Sequence, residues 1–299
     1  MSDLPATLTY FGTMSRIGQV LNRSAIPVFE AHELNDPFLP DRFSEMPFDV
    51  KSLFESGVKE VSHMILGKSP PKGQPNHPLL KAIMRWRMEN RFNDEIEIKE
   101  ALQGLLPAMV EKTFNEAKQA HQSWIDYVSN KKVALFYEKF QELSMWQALA
   151  AQHKGAAIKF KCVEESIFEM CHPADYSKQP AGTVSGHDYI QHMVGTKAEV
   201  ELNPESILLR QDYALRQMKE WRMVVDCNEQ KEQWIEFPMD LIQSIYLGAL
   251  VPEKTIEQLK THLKRLNPQI NLYKAVCMKT EFGLSFEKLN ASDLEAEPE

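Results

Sequence analysis

Residues 132–161, KVALFYEKFQELSMWQALAAQHKGAAIKFK, decide how this chain is read. Val133 to Phe136 form a short continuous apolar run, the mark of a strand buried on both faces. Leu143, Trp146, Leu149 and Ala150 then recur at helical spacing, with Ser144 near the start and Gly155 to end the turn. Ala156, Ala157, Ile158 and Phe160 resume an extended pattern in which Lys159 and Lys161 alternate outward. Strand, helix, strand is the expectation. His153 and Lys154 fall at the helix C-terminal end, where the dipole favours positive charge and where a small cleft can open beside the second strand.

Working outward, Leu8–Phe11 and Ile26–Phe29 read as strands. Between them lies a helix carrying Ile17, Val20 and Leu21, with Ser15 as its cap. Asn35, Asp36, Pro37 and Phe38 follow in LNDPF, a turn in which Pro37 pushes Asp36 away from the right-handed helical region. From about 49 to 132 the pattern is helical. Val50, Leu53, Phe54, Val58 and Val61 line one face, a second helix covers roughly Leu79–Asn90, and Val110 to Val128 mark a long amphipathic helix with His121 on its apolar side. Lys81, Arg85, Arg87 and Arg91 cluster on the second helix, but Glu89, Asp94, Glu95 and Glu97 make it a mixed solvated face.

Residues 162–205 read as loops around a short helix at 187–193. His187 and His192, five apart and without a cysteine cluster, lack metal-pair spacing, so no metal is expected. Residues 207–219 read as helical. EWRMVVDC (220–227) is a strand expected to pair with EQWIEF (232–237) across a polar turn. LIQSIYLG is a strand or a short helix. Pro252 and Glu253 open a helix with Ile256, Leu259, Leu263 and Leu266 on one face, and Leu272–Met278 and Leu284–Phe286 close as a strand pair. The acidic residues 289–299 read as a disordered tail. The expected class is α+β: one domain over 1–288 with a mixed sheet and a large helical insertion at about 49–132.

Whole-chain numbers agree with a globular protein. Of 299 residues, 43% are hydrophobic and 25% charged, enough for a substantial core. The formal net charge of −8 gives no global field toward nucleic acid or anionic lipid. No apolar run approaches the roughly 20 residues a bilayer span requires, and the N-terminus has no signal-peptide pattern. The four cysteines are scattered without CxxC spacing, which suits reduced thiols in the cytoplasm.

Four boxes in order resemble a bacterial and phage-associated domain-of-unknown-function family. They are Asn35-Asp36-Pro37-Phe38; Phe136-Tyr137-Glu138 with Met145-Trp146 through His153 and Gly155; Glu220-Trp221-Arg222; and Ile245 to Gly248. That family in turn resembles, distantly, the DarT-like ADP-ribosyltransferases. The resemblance implies a split mixed sheet whose cleft holds NAD, and a late glutamate as catalytic group. Glu220 is the candidate, beside an Arg222 that orients it or binds a phosphate. A fixed carboxylate stabilises the oxocarbenium-like ribose left when nicotinamide departs. Tyr10, Asn35, Asp36, Trp146 and His153 are then candidates for the nucleotide cleft. The implied activity is that of an intracellular toxin or phage-defence effector acting on protein or nucleic acid, with a neutralising or regulatory protein partner.

The chain also departs from the family pattern. Thr9 replaces a basic residue, Tyr137 a serine, Leu149 a tyrosine and Met218 a glutamate. Two other readings therefore stand beside transfer. One is a non-catalytic module that binds a protein partner through the helical insertion. The other is metal-dependent nucleic-acid processing by Asp36, Glu138 and Glu220. For Glu220 and Arg222 themselves, the alternative is an ion pair on one face of an edge strand.

Overall fold

The computed structural model describes residues 4–34, 45–67, 70–178, 184–203, 205–227, 233–267 and 269–289. The fold is α+β with a large mixed sheet. The sequence predicts one domain interrupted at 49–132. The chain instead divides into two compact units. One comprises Met1–Leu34, Asn130–Pro180 and Leu209–Glu299; the other comprises Asn35–Ser129 and Ala181–Leu208. The helical part is thus built from two stretches, the second of which reads as loop because its longest helix among the described residues, Gly186–Val194, has only nine residues.

The first unit holds the sheet. Its strands are β1 (Thr7–Gly12), β2 (Ala25–Glu30), β3 (Lys131–Tyr137), β4 (Ala156–Lys161), β5 (Cys171–Pro173), β6 (Asp175–Ser177), β7 (Arg210–Asp212), β8 (Glu220–Asp226), β9 (Gln233–Glu236), β10 (Ile242–Leu247), β11 (Asn271–Cys277) and β12 (Leu284–Lys288). Ten of them join in the order β12-β11-β10-β4-β1-β3-β2-β9, with β8 along the other edge of β3 and β5 beyond it; β6 and β7 pair separately. Only β10–β11 is parallel within the large sheet.

Near the centre the sheet forks. β3 pairs with β1 through Thr9↔Tyr137 at one end and with β2 through Phe29↔Val133 at the other. Helix α1 (Met14–Arg23) joins the two branches. Its cap is Thr13, not Ser15: Thr13 keeps extended angles as β1 ends, and its hydroxyl accepts from the Arg16 N–H at 3.2 Å. The expected hairpin of 220–227 with 232–237 does not form. β8 pairs with β3 along its whole length, and β9 pairs with β2. A hairpin pattern in sequence cannot tell a neighbouring strand from one two hundred residues earlier with an equally apolar edge.

Alternation sorts the strands into two faces. Leu8, Tyr10, Ala134, Phe136, Ile158, Phe160, Trp221 and Met223 belong to one face. It forms the main core with Ile17, Val20 and Leu21 of α1 and with Ile256, Leu259 and Leu263 of the late helix Glu253–Leu266. On the other face, Phe11, Tyr137 and Ala157 meet Met145 and Trp146 of the short helix Leu143–Leu149 in a smaller core. Residues 207–219, read as one helix, break into a five-residue turn of helix, β7 and a 3-10 segment over Tyr213–Met218.

The second unit packs the helices Val50–Leu66, Pro78–Met88, Glu95–Leu102, Leu106–Ser129 and Gly186–Val194 around Leu53, Val61, Ile83, Ile98, Leu102 and Val194. Asp49 and Ser52 cap the first of these reciprocally. His121 is buried on the apolar face of the long helix, and burial lowers its pKa. No helix among the described residues is long and apolar enough to cross a membrane.

Candidate functional site: a polar row across the buried sheet

The second face of the sheet should be apolar wherever it is covered, yet a line of polar side chains crosses it. Register alone produces the line. Ser244 of β10 pairs with Lys159 of β4, Lys159 with Thr9 of β1, Thr9 with Tyr137 of β3, and Tyr137 with Glu220 of β8. A register shift between Ile242 and Ser244 turns Ser244 onto this row. Thr9 is fully buried, and Tyr137 and Glu220 are only 3% and 5% exposed. Burying polar groups across adjacent strands costs free energy unless each finds a partner.

Most of them do. Glu220 accepts from Arg222 Nε at 2.6 Å, a pair in which Arg222 is 2% exposed. Tyr137 is hydrogen-bonded to the same carboxylate, and burial together with that negative charge pushes its phenol well above the ordinary tyrosine range, so it stays protonated. The Glu220 backbone N–H donates to the Tyr176 hydroxyl at 2.7 Å. Tyr176 sits on β6, in the short parallel ribbon β6–β7 that Asp175 and Arg210 tie with an ion pair of 3.0 Å. One member has no partner: the Thr9 hydroxyl is buried and unbonded. An orphaned hydroxyl inside a buried polar row departs from the rule that buried polar groups are paired.

Beside the row stands an aromatic wall. Phe11 packs edge-on against Tyr137 at 5.8 Å and against Trp146 at 5.4 Å. Phe286 and Tyr246 extend it, and the Lys159 ammonium lies 5.1 Å from the Phe140 ring centre. Trp146 is fully buried, its indole N–H donating to the Phe140 carbonyl at 2.6 Å.

Of the residues predicted for a nucleotide cleft, Glu220 and Arg222 are together, at one end of the row. Trp146 stands in the adjoining wall. Tyr10 is not with them: alternation turns it to the opposite face, where burial in the main core raises its pKa to about 12. His153 precedes β4 with φ 66°, its carbonyl accepting from Leu250 N–H at 2.9 Å and its Nδ1 buried without a partner. β4, β1 and β3 separate it from Glu220 in the strand order. Asn35 and Asp36 lie outside the described residues. Glu138, offered as a metal carboxylate, is held by Lys219 Nζ and Trp221 Nε1, both at 2.9 Å.

Thr9, Lys159 and Ser244 belong to the row although no motif marks them. The signal was present only as polar residues at strand positions whose neighbours are apolar, and pairing register is needed to line them up. No family model, no curated protein and no solved structure matches this chain.

Proposed function

We propose that the chain is an NAD-dependent ADP-ribosyltransferase of the toxin or phage-defence kind, modifying a protein or nucleic-acid target, with Glu220 as its catalytic carboxylate. The observation that carries this reading is the Glu220 environment: a charged carboxylate held by Arg222 and Tyr137 at the end of a buried polar row. NAD, when bound, supplies the ADP-ribosyl group: its C1′–nicotinamide bond breaks with the electron pair on nicotinamide, a C1′–acceptor bond forms, and the acceptor's proton goes to a base. The residues present fit such a group in kind. Glu220 offers fixed negative charge where positive charge develops on a sugar carbon, and accepts the acceptor's proton. The unpartnered Thr9 hydroxyl and the aromatic wall offer a sugar oxygen and a planar ring matching partners only once the cover over this buried row has moved. Access requires the β6–β7 ribbon to lift, because Glu220 is 5% exposed beneath it.

The test is nicotinamide release by purified wild type and Glu220→Gln. Wild type should release it, and the variant should lose about 10²-fold or more of the rate. Equal rates in both would remove the proposal.

A second reading, a non-catalytic module binding a protein partner through the helical unit, is favoured by one observation. That unit carries a groove of about 740 Å³ along the helix Val50–Leu66, lined by Phe48, Leu53, Lys59, Glu60, His63 and Ile190. It predicts no nicotinamide release from either protein, no thermal shift with NAD, and a partner complex that disappears when the helical unit is deleted.

A further inference from the structure

Most arginines of the chain that the sequence clusters together are already engaged. In the group at 85–91, Arg85 pairs with Glu89 at 2.8 Å. Arg87 donates to the carbonyls of Met64 and Ile65 at 3.0 and 3.1 Å, closing the C-terminal end of a neighbouring helix. Arg91 also lies over rings, Trp86 and Phe92, at 5.9 and 5.6 Å, but among the described residues no second arginine shares them with it. Elsewhere Arg210 pairs with Asp175 and Arg222 with Glu220.

Arg16 and Arg23 differ. They stand seven apart on α1, hence on one stripe of that helix. Both guanidiniums lie over the same indole, Trp234 of β9, at 5.9 and 4.7 Å, and Arg16 also lies 5.3 Å from the Phe29 ring centre. Neither has a carboxylate or carbonyl partner among the described residues. α1 itself carries no acidic residue. The carboxylates at and just after the end of β2 have partners of their own: Glu33 accepts from the Glu30 N–H at 3.0 Å, and Glu30 meets His32 at 3.3 Å. A flat guanidinium resting on an aromatic face leaves its N–H edge free, pre-set for a planar pair of anionic oxygens.

We propose that Arg16, Arg23 and Trp234 form a phosphate-binding platform for a nucleotide-containing ligand, either the backbone of single-stranded nucleic acid or the pyrophosphate of a free dinucleotide. The two cations sit close enough on one indole for a single ligand bearing neighbouring phosphates to meet both, and anchoring by stacking removes much of the side-chain entropy that binding would otherwise cost. The platform does not depend on Glu220 being catalytic. On a chain of net charge −8 the attraction is local to these two cations, so affinity should fall steeply with salt.

The experiment compares wild type, the R16Q/R23Q double variant, R23Q alone and R85Q. Fluorescence anisotropy follows a labelled mixed-sequence single-stranded oligodeoxynucleotide, and calorimetry follows NAD. Circular dichroism and melting check that the variants fold; Arg23 is exposed, so R23Q keeps the readout usable if the double variant is unstable. Oligonucleotide binding that weakens about tenfold in R16Q/R23Q, with the salt slope reduced by about one per arginine, and is unchanged in R85Q, assigns the platform to nucleic acid. NAD binding alone, lost in R16Q/R23Q, assigns it to the dinucleotide. Wild type binding neither, or folded R16Q/R23Q and R23Q binding as wild type does, overturns the platform.

Discussion

Glu220 and Arg222, two residues apart on β8, point to the same buried face and join by an Nε–Oε1 hydrogen bond of 2.6 Å. Removing either partner takes the nearest countercharge from the other in the interior. Glu220→Ala or Arg222→Ala should therefore cost about 3–5 kcal/mol in urea unfolding, while the apolar double variant E220L/R222L should cost much less than the two singles together. Additive losses would show that the pair is solvated rather than closed.

Tyr176 holds the ribbon over Glu220 through one hydrogen bond from the Glu220 N–H. Tyr176→Phe keeps the ring and removes the acceptor, at about 1 kcal/mol. Hydrogen exchange at the Glu220 amide should then speed up while the amides at the centre of β3 do not change. If exchange at both positions is unaltered, β6–β7 is not a cover that opens by itself.

Gly155 and Gly248 lie where backbone meets backbone. A Cβ on Gly155 would stand 2.3 Å from the Gly12 carbonyl oxygen, and one on Gly248 would stand 2.1 Å from that of His153. Carbonyls cannot swing aside as a flexible side chain can. Gly155→Ala and Gly248→Ala should each destabilise by about 1–3 kcal/mol through overpacking, read as a lowered melting temperature, whereas Gly18→Ala, with open space around it, should not.

Alkali should loosen the protein. Burial raises the Cys162 thiol from 9.0 to about 12 and the Tyr10 phenol from 10.0 to about 12. In each case the unfolded chain releases its proton first, so the stabilisation is complete below about pH 9 and drains away as pH climbs toward 12. Stability measured across that window should fall and Cys162→Ser should flatten the fall. The same protonated state predicts slow alkylation of Cys162 and the buried Cys171 at pH 8, and rapid alkylation of the exposed Cys277.

The elements of the quoted stretch are legible because their periods are long and unmixed. Val133–Phe136, Leu143–Ala150 and Ala156–Phe160 each show one pattern, and the strands and helix appear where that pattern places them. What could not be read is pairing. β9 follows β8 closely in sequence yet lies against β2, because edge complementarity over long separations leaves no local trace. The same limit hid the polar row: Glu220 and Tyr137 stand out through their boxes, while Thr9, Lys159 and Ser244 acquire meaning only once five strands are in register. Tyr10 was misplaced by one residue of alternation, the smallest step that moves a side chain from one face to the other.

The fork at β3 also constrains how the chain is made. β1 and β2 are synthesised before β3 but have no pairing with each other, and the strand that receives both follows only after the ninety-odd residues of Asn35–Ser129 have emerged. The N-terminal arm must therefore wait, its apolar face uncovered, while later segments are translated. Chaperone dependence during synthesis, and slow refolding from denaturant, follow from this topology.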